Sequence, residues 1–129
     1  SATTAVARRL QKNFRNAGLE ITIEQWSVLY HLWKENELSQ QELGNRTFRD
    51  KASITRLIDN IEKLGLVERI ASKEDRRVNL VYLTDAAKPL QEATYNLANQ
   101  TMNEALQGIS KEEIEIVKSV FQRVYENSK

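Results

Sequence analysis

Two features predict a mainly α chain with one small β-hairpin. Helix breakers are scarce, with one proline (Pro89) and four glycines in 129 residues, and apolar residues recur at helical spacing in separate blocks. One stretch reads differently. Leu66–Ala71 and Val78–Leu83 are rich in β-branched and aromatic residues and enclose the charged run Ser72–Arg77, which is the pattern of two strands joined by a turn.

The elements follow in order. Val6, Leu10 and Phe14 share one helical face before the Ala17-Gly18 break. Thr22-Ile23-Glu24-Gln25 has the spacing of a capping box, in which the threonine hydroxyl and glutamine side chain satisfy free N–H groups at a helix start. Trp26, Leu29, Tyr30 and Trp33 then repeat at helical spacing up to Asn36-Glu37. Ser39-Gln40-Gln41-Glu42 is a second box opening a short helix around Leu43, and Arg49-Asp50 marks a turn. The next helix runs from about Asp50 to Leu64, with Ile54, Leu57, Ile58 and Ile61 as its apolar stripe. Its opposite face carries Arg49, Ala52, Arg56, Asp59 and Lys63, flanked by Ser53, Thr55 and Asn60. Gly65 suits the left-handed residue that closes a helix, with Leu66 folded back onto it. The loop Ser72–Arg77 is too long for a two-residue turn, so its tip is expected to project and be mobile.

Thr84-Asp85 is expected to cap and start a long helix. Pro89, one turn in, would remove a hydrogen bond there, which predicts a kink or a delayed start. Leu90, Ala93, Leu97 and Leu106 continue the pattern to Gly108. Ser110-Lys111-Glu112-Glu113 is a third capping box. Beyond it Ile114, Ile116, Val117, Val120, Phe121, Val124 and Tyr125 cover an arc of roughly 180°. A lone surface helix needs little more than about 100°, so this last helix is expected to contact two bodies. The whole chain, 1–129, reads as a single domain.

Composition narrows the function classes. There is no cysteine, which removes disulfides, thiolate metal sites and thiol redox sensing. No run approaches the apolar length that spans a bilayer and the N-terminus lacks the apolar core of a signal peptide, so a cytoplasmic location without membrane contact is expected. The net charge is only +1, but it is unevenly spread. Residues 46–77 hold nine basic and six acidic groups, an excess of +3, whereas 78–129 hold five and seven. Charge at the tip of a two-stranded ribbon beside an amphipathic helix is how a winged helix grips DNA. The helix reads the major groove while the ribbon tip reaches the backbone or minor groove.

The residues themselves carry a resemblance. Ile23-Glu24-Gln25-Trp26-Ser27-Val28-Leu29, Leu38-Ser39-Gln40-Gln41-Glu42-Leu43 and Asp50-Lys51-Ala52-Ser53-Ile54-Thr55-Arg56-Leu57-Ile58-Asp59 come in order. Leu64-Gly65-Leu66-Val67-Glu68-Arg69 and Asp75-x-Arg77…Leu83-Thr84 follow at the right spacing. Together they resemble the multiple antibiotic resistance regulator (MarR) family of bacterial transcription factors, over about half the chain. The resemblance implies a winged helix-turn-helix lobe over 22–84, with dimerisation helices over 1–18 and 85–129. It implies a homodimer whose two lobes bind a pseudo-palindromic operator in double-stranded DNA. Ser39 and Gln40 would meet phosphate at a helix N-terminus, and Lys51 to Arg56 would enter the major groove. Arg56 is the best candidate for a guanine edge, because a guanidinium donates two parallel bonds to O6 and N7. Arg77, oriented by an ion pair with Asp75, would enter the minor groove while Arg76 contacts backbone. The expected DNA-contacting set is therefore Ser39, Gln40, Arg49, Lys51, Ala52, Ser53, Thr55, Arg56, Asn60, Asp75, Arg76 and Arg77.

The same resemblance implies a dimer interface of Val6, Leu10, Ile114, Val117, Val120, Phe121 and Val124. It allows a small aromatic or phenolic effector near Phe14, Trp26, Tyr30 and His31, although Trp26 and Tyr30 read first as core and His31 first as a surface or interface residue. No cofactor is expected, and the single His31 with scattered carboxylates is no metal-ligand set. An enzyme is not expected, because no nucleophile–base grouping or phosphate-cradling glycine loop is present. The alternative is a winged helix used as a protein-interaction module, which would have no need of a basic helix face or an arginine at the wing tip.

Overall fold

A computed structural model describes all residues, 1–129. Helix α1 (Ala2–Asn16) turns Leu10 and Phe14 inward. Helices α2 (Ile23–Lys34) and α3 (Gln40–Arg46) each start at a capping box. At α2, the Gln25 N–H donates to Thr22 Oγ1 at 3.1 Å and the Thr22 N–H donates to Gln25 Oε1 at 2.9 Å. Such reciprocal caps are worth about 1 kcal/mol each and fix where a helix begins. Helix α4 (Lys51–Lys63) starts at Asp50, whose carboxylate accepts the Ser53 N–H at 2.8 Å.

α4 buries Ile54, Ile58 and Ile61. It ends at Gly65, whose φ of 77° lies in the left-handed region that favours glycine. The Leu66 N–H then reaches back to the Ile61 carbonyl at 3.0 Å, and Leu66 is buried. This closure aims the chain straight into the sheet.

The sheet has three antiparallel strands, β1 (Leu38–Ser39), β2 (Val67–Ala71) and β3 (Asn79–Leu83), in the order β1-β3-β2. The expected hairpin is β2–β3, with Val67 opposite Leu83 and Ala71 opposite Asn79. β1 was not anticipated. It is two residues long and becomes a strand only by pairing Leu38 with Val81 and Ser39 with Leu80.

Thr84 departs from its expected role. Its hydroxyl donates to the Gly65 carbonyl at 2.5 Å, tying the end of β3 to the end of α4, and it caps no helix. One 3₁₀ turn follows (Asp85–Ala87), and α5 (Lys88–Ala105) begins after it with Pro89 in its first turn. A proline there loses no helical hydrogen bond, so the delayed start accommodates it. The Trp33 indole N–H donates to the Ala87 carbonyl at 3.2 Å and holds this junction against α2.

The core gathers Phe14, Val28, Leu29, Leu32, Leu38, Leu43, Ile54, Ile58, Ile61, Val67 and Val81 between the helices and the sheet. Leu10, expected at a dimer interface, belongs to this core of its own chain. α1 is tied to α5 by the Arg9–Glu104 ion pair and by an Asn13 amide donating to Thr101 Oγ1 at 2.8 Å. Helix α6 (Lys111–Ser128) buries none of its residues. Within one chain its broad apolar arc is left uncovered. No helix is long and apolar enough to cross a membrane.

Candidate nucleic-acid interface

The wing loop between β2 and β3 is a hydrogen-bonded turn. Ser72 Oγ accepts the N–H groups of Glu74 and Asp75 at 3.2 and 3.4 Å, and the Val78 N–H donates to the Asp75 carbonyl at 2.9 Å. From this frame Arg77 projects with its side chain 90% exposed. Its Nε and Nη2 donate to Asp75 Oδ1 and Oδ2, each at 3.1 Å, and its backbone N–H donates to Oδ1 at 3.0 Å. A forked pair of this kind fixes the plane of the guanidinium as well as its position. The Arg77 side chain, and then its backbone N–H, hold the Asp75 carboxyl below the usual carboxylate range.

The loop faces an open groove of about 610 Å³. Arg77, Val78 and Asn79 line it from the wing, Arg49, Lys51 and Ile54 from the start of α4, and Ser39, Gln40, Gln41, Gly44 and Asn45 from α3. Two segments distant in sequence, the start of α4 and the wing, thus bring Arg49, Lys51 and Arg77 to one concavity. The Arg49 guanidinium stands 3.5 Å from Ser53 Oγ, and its Nε–H is buried without a partner. A buried donor left unfilled is costly. Gly44 lets the helices close here. A Cβ would lie 3.2 Å from the Arg49 carbonyl and 3.4 Å from Ile54 Cγ2.

The even-handed charge count of the sequence conceals a sorting by structure. Arg46 pairs with Glu35 at 2.8 Å, and Arg69 with Asp59 and Glu62 at 2.8 and 3.0 Å. Arg49, Lys51, Arg56, Lys63, Lys73 and Arg76 make no ion pair, so the unpaired excess is cationic. Arg56 and Asn60 are exposed farther along α4, outside the groove lining, and Ala52 is exposed in its first turn.

Some expected contact residues are engaged within the protein. Ser39 is buried and its hydroxyl serves as the α3 cap at 3.0 Å from the Glu42 N–H. The Gln40 amide donates to Thr55 Oγ1 at 2.6 Å and accepts from Arg69 Nε at 3.3 Å, while the Thr55 hydroxyl donates to the Lys51 carbonyl at 2.7 Å. Arg69 also donates to the Thr55 carbonyl at 3.2 Å. It is the hub that locks α3, α4 and β2 together, a role that no local sequence pattern signals. Gln41 and Asn45, four residues apart on α3, were also missed, although that spacing puts them on one face.

The aromatic residues lie at the α1–α2 junction. Phe14 and Trp26 meet edge-on at 5.9 Å, Trp26 and Tyr30 follow at 5.9 Å, and Tyr30 and His31 at 5.4 Å. Phe14 is fully buried and Tyr30 is exposed at one end. The Trp26 indole N–H is buried without a partner. Partial burial, then Arg46 and Lys34, lower the His31 pKa from its usual value.

The sequence model of the MarR family matches residues 21–78, from the start of the lobe through the wing. The chain is also similar to the transcriptional regulator PA3341, at 30% identity over 97% of this chain and 90% of that one, with a TM-score of 0.80. This chain belongs to the MarR family. The family is one of transcriptional regulators that bind DNA, and the groove lies within the matched segment. A probable transcriptional regulator from Pseudomonas aeruginosa is 29% identical, covering 95% of this chain and 92% of its own, with a TM-score of 0.81. BpsR of Bordetella bronchiseptica, whose DNA binding is regulated by 6-hydroxynicotinic acid, shares the MarR fold. Its TM-score is 0.84 at 21% identity, over 96% of this chain and 92% of its own.

Proposed function

We propose that this MarR-family chain works as a homodimer in the cytoplasm and represses transcription from a pseudo-palindromic operator until a small aromatic acid releases it. The observation that carries this reading is the convergence of Arg49, Lys51 and the Asp75-held Arg77 on one groove. Phosphates meet the cations that lack an ion pair, α4 carries Lys51 to Arg56 into the major groove, and Arg77 enters the minor groove beside it. Arg56 donates to a guanine edge from its exposed position on α4. Selection of duplexes from a random pool tests this. Two inverted half-sites about 10 base pairs apart are expected, and recovery of no enriched sequence would refute it.

Pairing of two copies is supported by α6, where Val117, Val120, Phe121 and Val124 are exposed to between 49% and 69%. A continuous apolar face of that kind on a soluble chain marks an association surface. The effector reading is supported by the Phe14–Trp26–Tyr30 chain and by the unfilled Trp26 N–H, which offers a donor beside aromatic faces. The aromatic acid that regulates BpsR makes that chemistry a reasonable first choice. An aromatic acid that raises Tm and frees the selected duplex is the expected result; a panel of such acids with no effect on either would remove the effector from the scheme.

A further inference from the structure

Phe48 sits in the turn between α3 and α4 and is 94% exposed, more than any other large apolar side chain of this chain. The other side chains more than half exposed lie on α5 and α6, and those on α6 belong to the association face proposed above. Phe48 does not. Its φ is 56°, in the left-handed region where a phenylalanine is strained. The turn is held there by the Arg49 N–H donating to the Gly44 carbonyl at 2.9 Å and by the Thr47 hydroxyl donating to the Leu43 carbonyl at 2.7 Å. These bonds fix the backbone, but the ring they present to solvent makes no compensating apolar contact within the chain.

We propose that Phe48 is an apolar specificity contact that packs on thymine methyl groups at the edge of the DNA site. The inference rests on the DNA-binding reading above. Phe48 stands at the rim of the groove, outside its lining: Asn45, three residues before it, Arg49, next to it, and Lys51, three residues after it, all line the groove. The unpaired cations around it, Arg49 and Lys51, select a polyanion as the occupant of this surface. A duplex seated there brings its bases with it, and the one apolar group that base pairs present in the major groove is the thymine C5 methyl. Phe48 thus adds a preference for thymine at a position that Arg56 does not read.

The test compares the parent with Phe48→Gly on duplexes selected by the parent, with each thymine replaced in turn by deoxyuridine. Glycine relieves the strained φ, so Tm should hold or rise. Phe48→Asn, which tolerates the same backbone, serves as a second variant. The parent should lose roughly fourfold in affinity for each contacted methyl removed, the value of one buried carbon. Both variants should bind the thymine duplex correspondingly more weakly and be indifferent to the replacement. Variants that bind as tightly as the parent, or that stay as sensitive to deoxyuridine, overturn the inference. So does a selected site in which no thymine methyl matters. A parent that selects no duplex fails at the earlier step and identifies the DNA reading itself as the fault.

Discussion

Arg77 is a fully projecting cation made stiff by its neighbour two residues away. In the proposed complex, replacing it with alanine removes a charge from the minor groove without disturbing the core, so duplex affinity should fall by about 1 kcal/mol or more on most sequences. Unchanged affinity in a direct titration would speak against the wing's role. Arg56→Ala should act differently, relaxing base preference at one symmetric pair of positions by about 1–3 kcal/mol. The same selected motif for variant and parent would contradict that. Asp75 supplies a pH test. Its folded-state pKa is lowered by Arg77, so whatever stability the pair contributes is present above the ordinary value of 3.8 and is lost as pH falls through the lower, folded value. Titration of its carboxyl by NMR should give an inflection below 3.8 in the parent, returning upward in Arg77→Ala; equal inflections would show that the fork does not form in solution.

Elements are held at their ends and by one internal hub. Gly65→Ala forces a Cβ into the left-handed region at the turn that joins α4 to the wing. It should cost about 1–2 kcal/mol in thermal or chemical unfolding, and an unchanged Tm would mean that the turn relaxes freely. Capping boxes and apolar stripes made nearly every helix legible, because both are local patterns in residues three or four apart. What escaped sequence reasoning is non-local. β1 exists only through Val81 and Leu80, Thr84 is claimed by Gly65 rather than by the helix after it, and Arg69 is neutralised by Asp59 and Glu62 on another element. The groove was legible in its two cationic walls, Lys51 and Arg77. Its floor of Gln41, Gly44 and Asn45 was not, since nothing in the local pattern says which face of α3 meets the wing.

At the scale of the whole molecule, an apolar face shows that a surface will be covered but not by which chain. Leu10 illustrates the ambiguity, since its helical spacing fits an interface equally well while the folded chain encloses it in its own core. Phe121 lies at the other extreme, 69% exposed on a helix that buries nothing. Phe121→Asp should give a monomer in sedimentation, because an unpaired charge cannot be taken into an apolar interface. Persistence of the dimer would move the interface elsewhere. The proposed pairing would double the cationic grooves and so govern how DNA binding responds to salt. That response is the most direct measurement, made by titrating a selected duplex at several ionic strengths. If Arg49, Lys51 and Arg76 of two protomers neutralise roughly six phosphates, affinity should fall about a thousandfold between 50 and 200 mM salt. An affinity that barely moves over that range would contradict the assignment of the groove to duplex DNA.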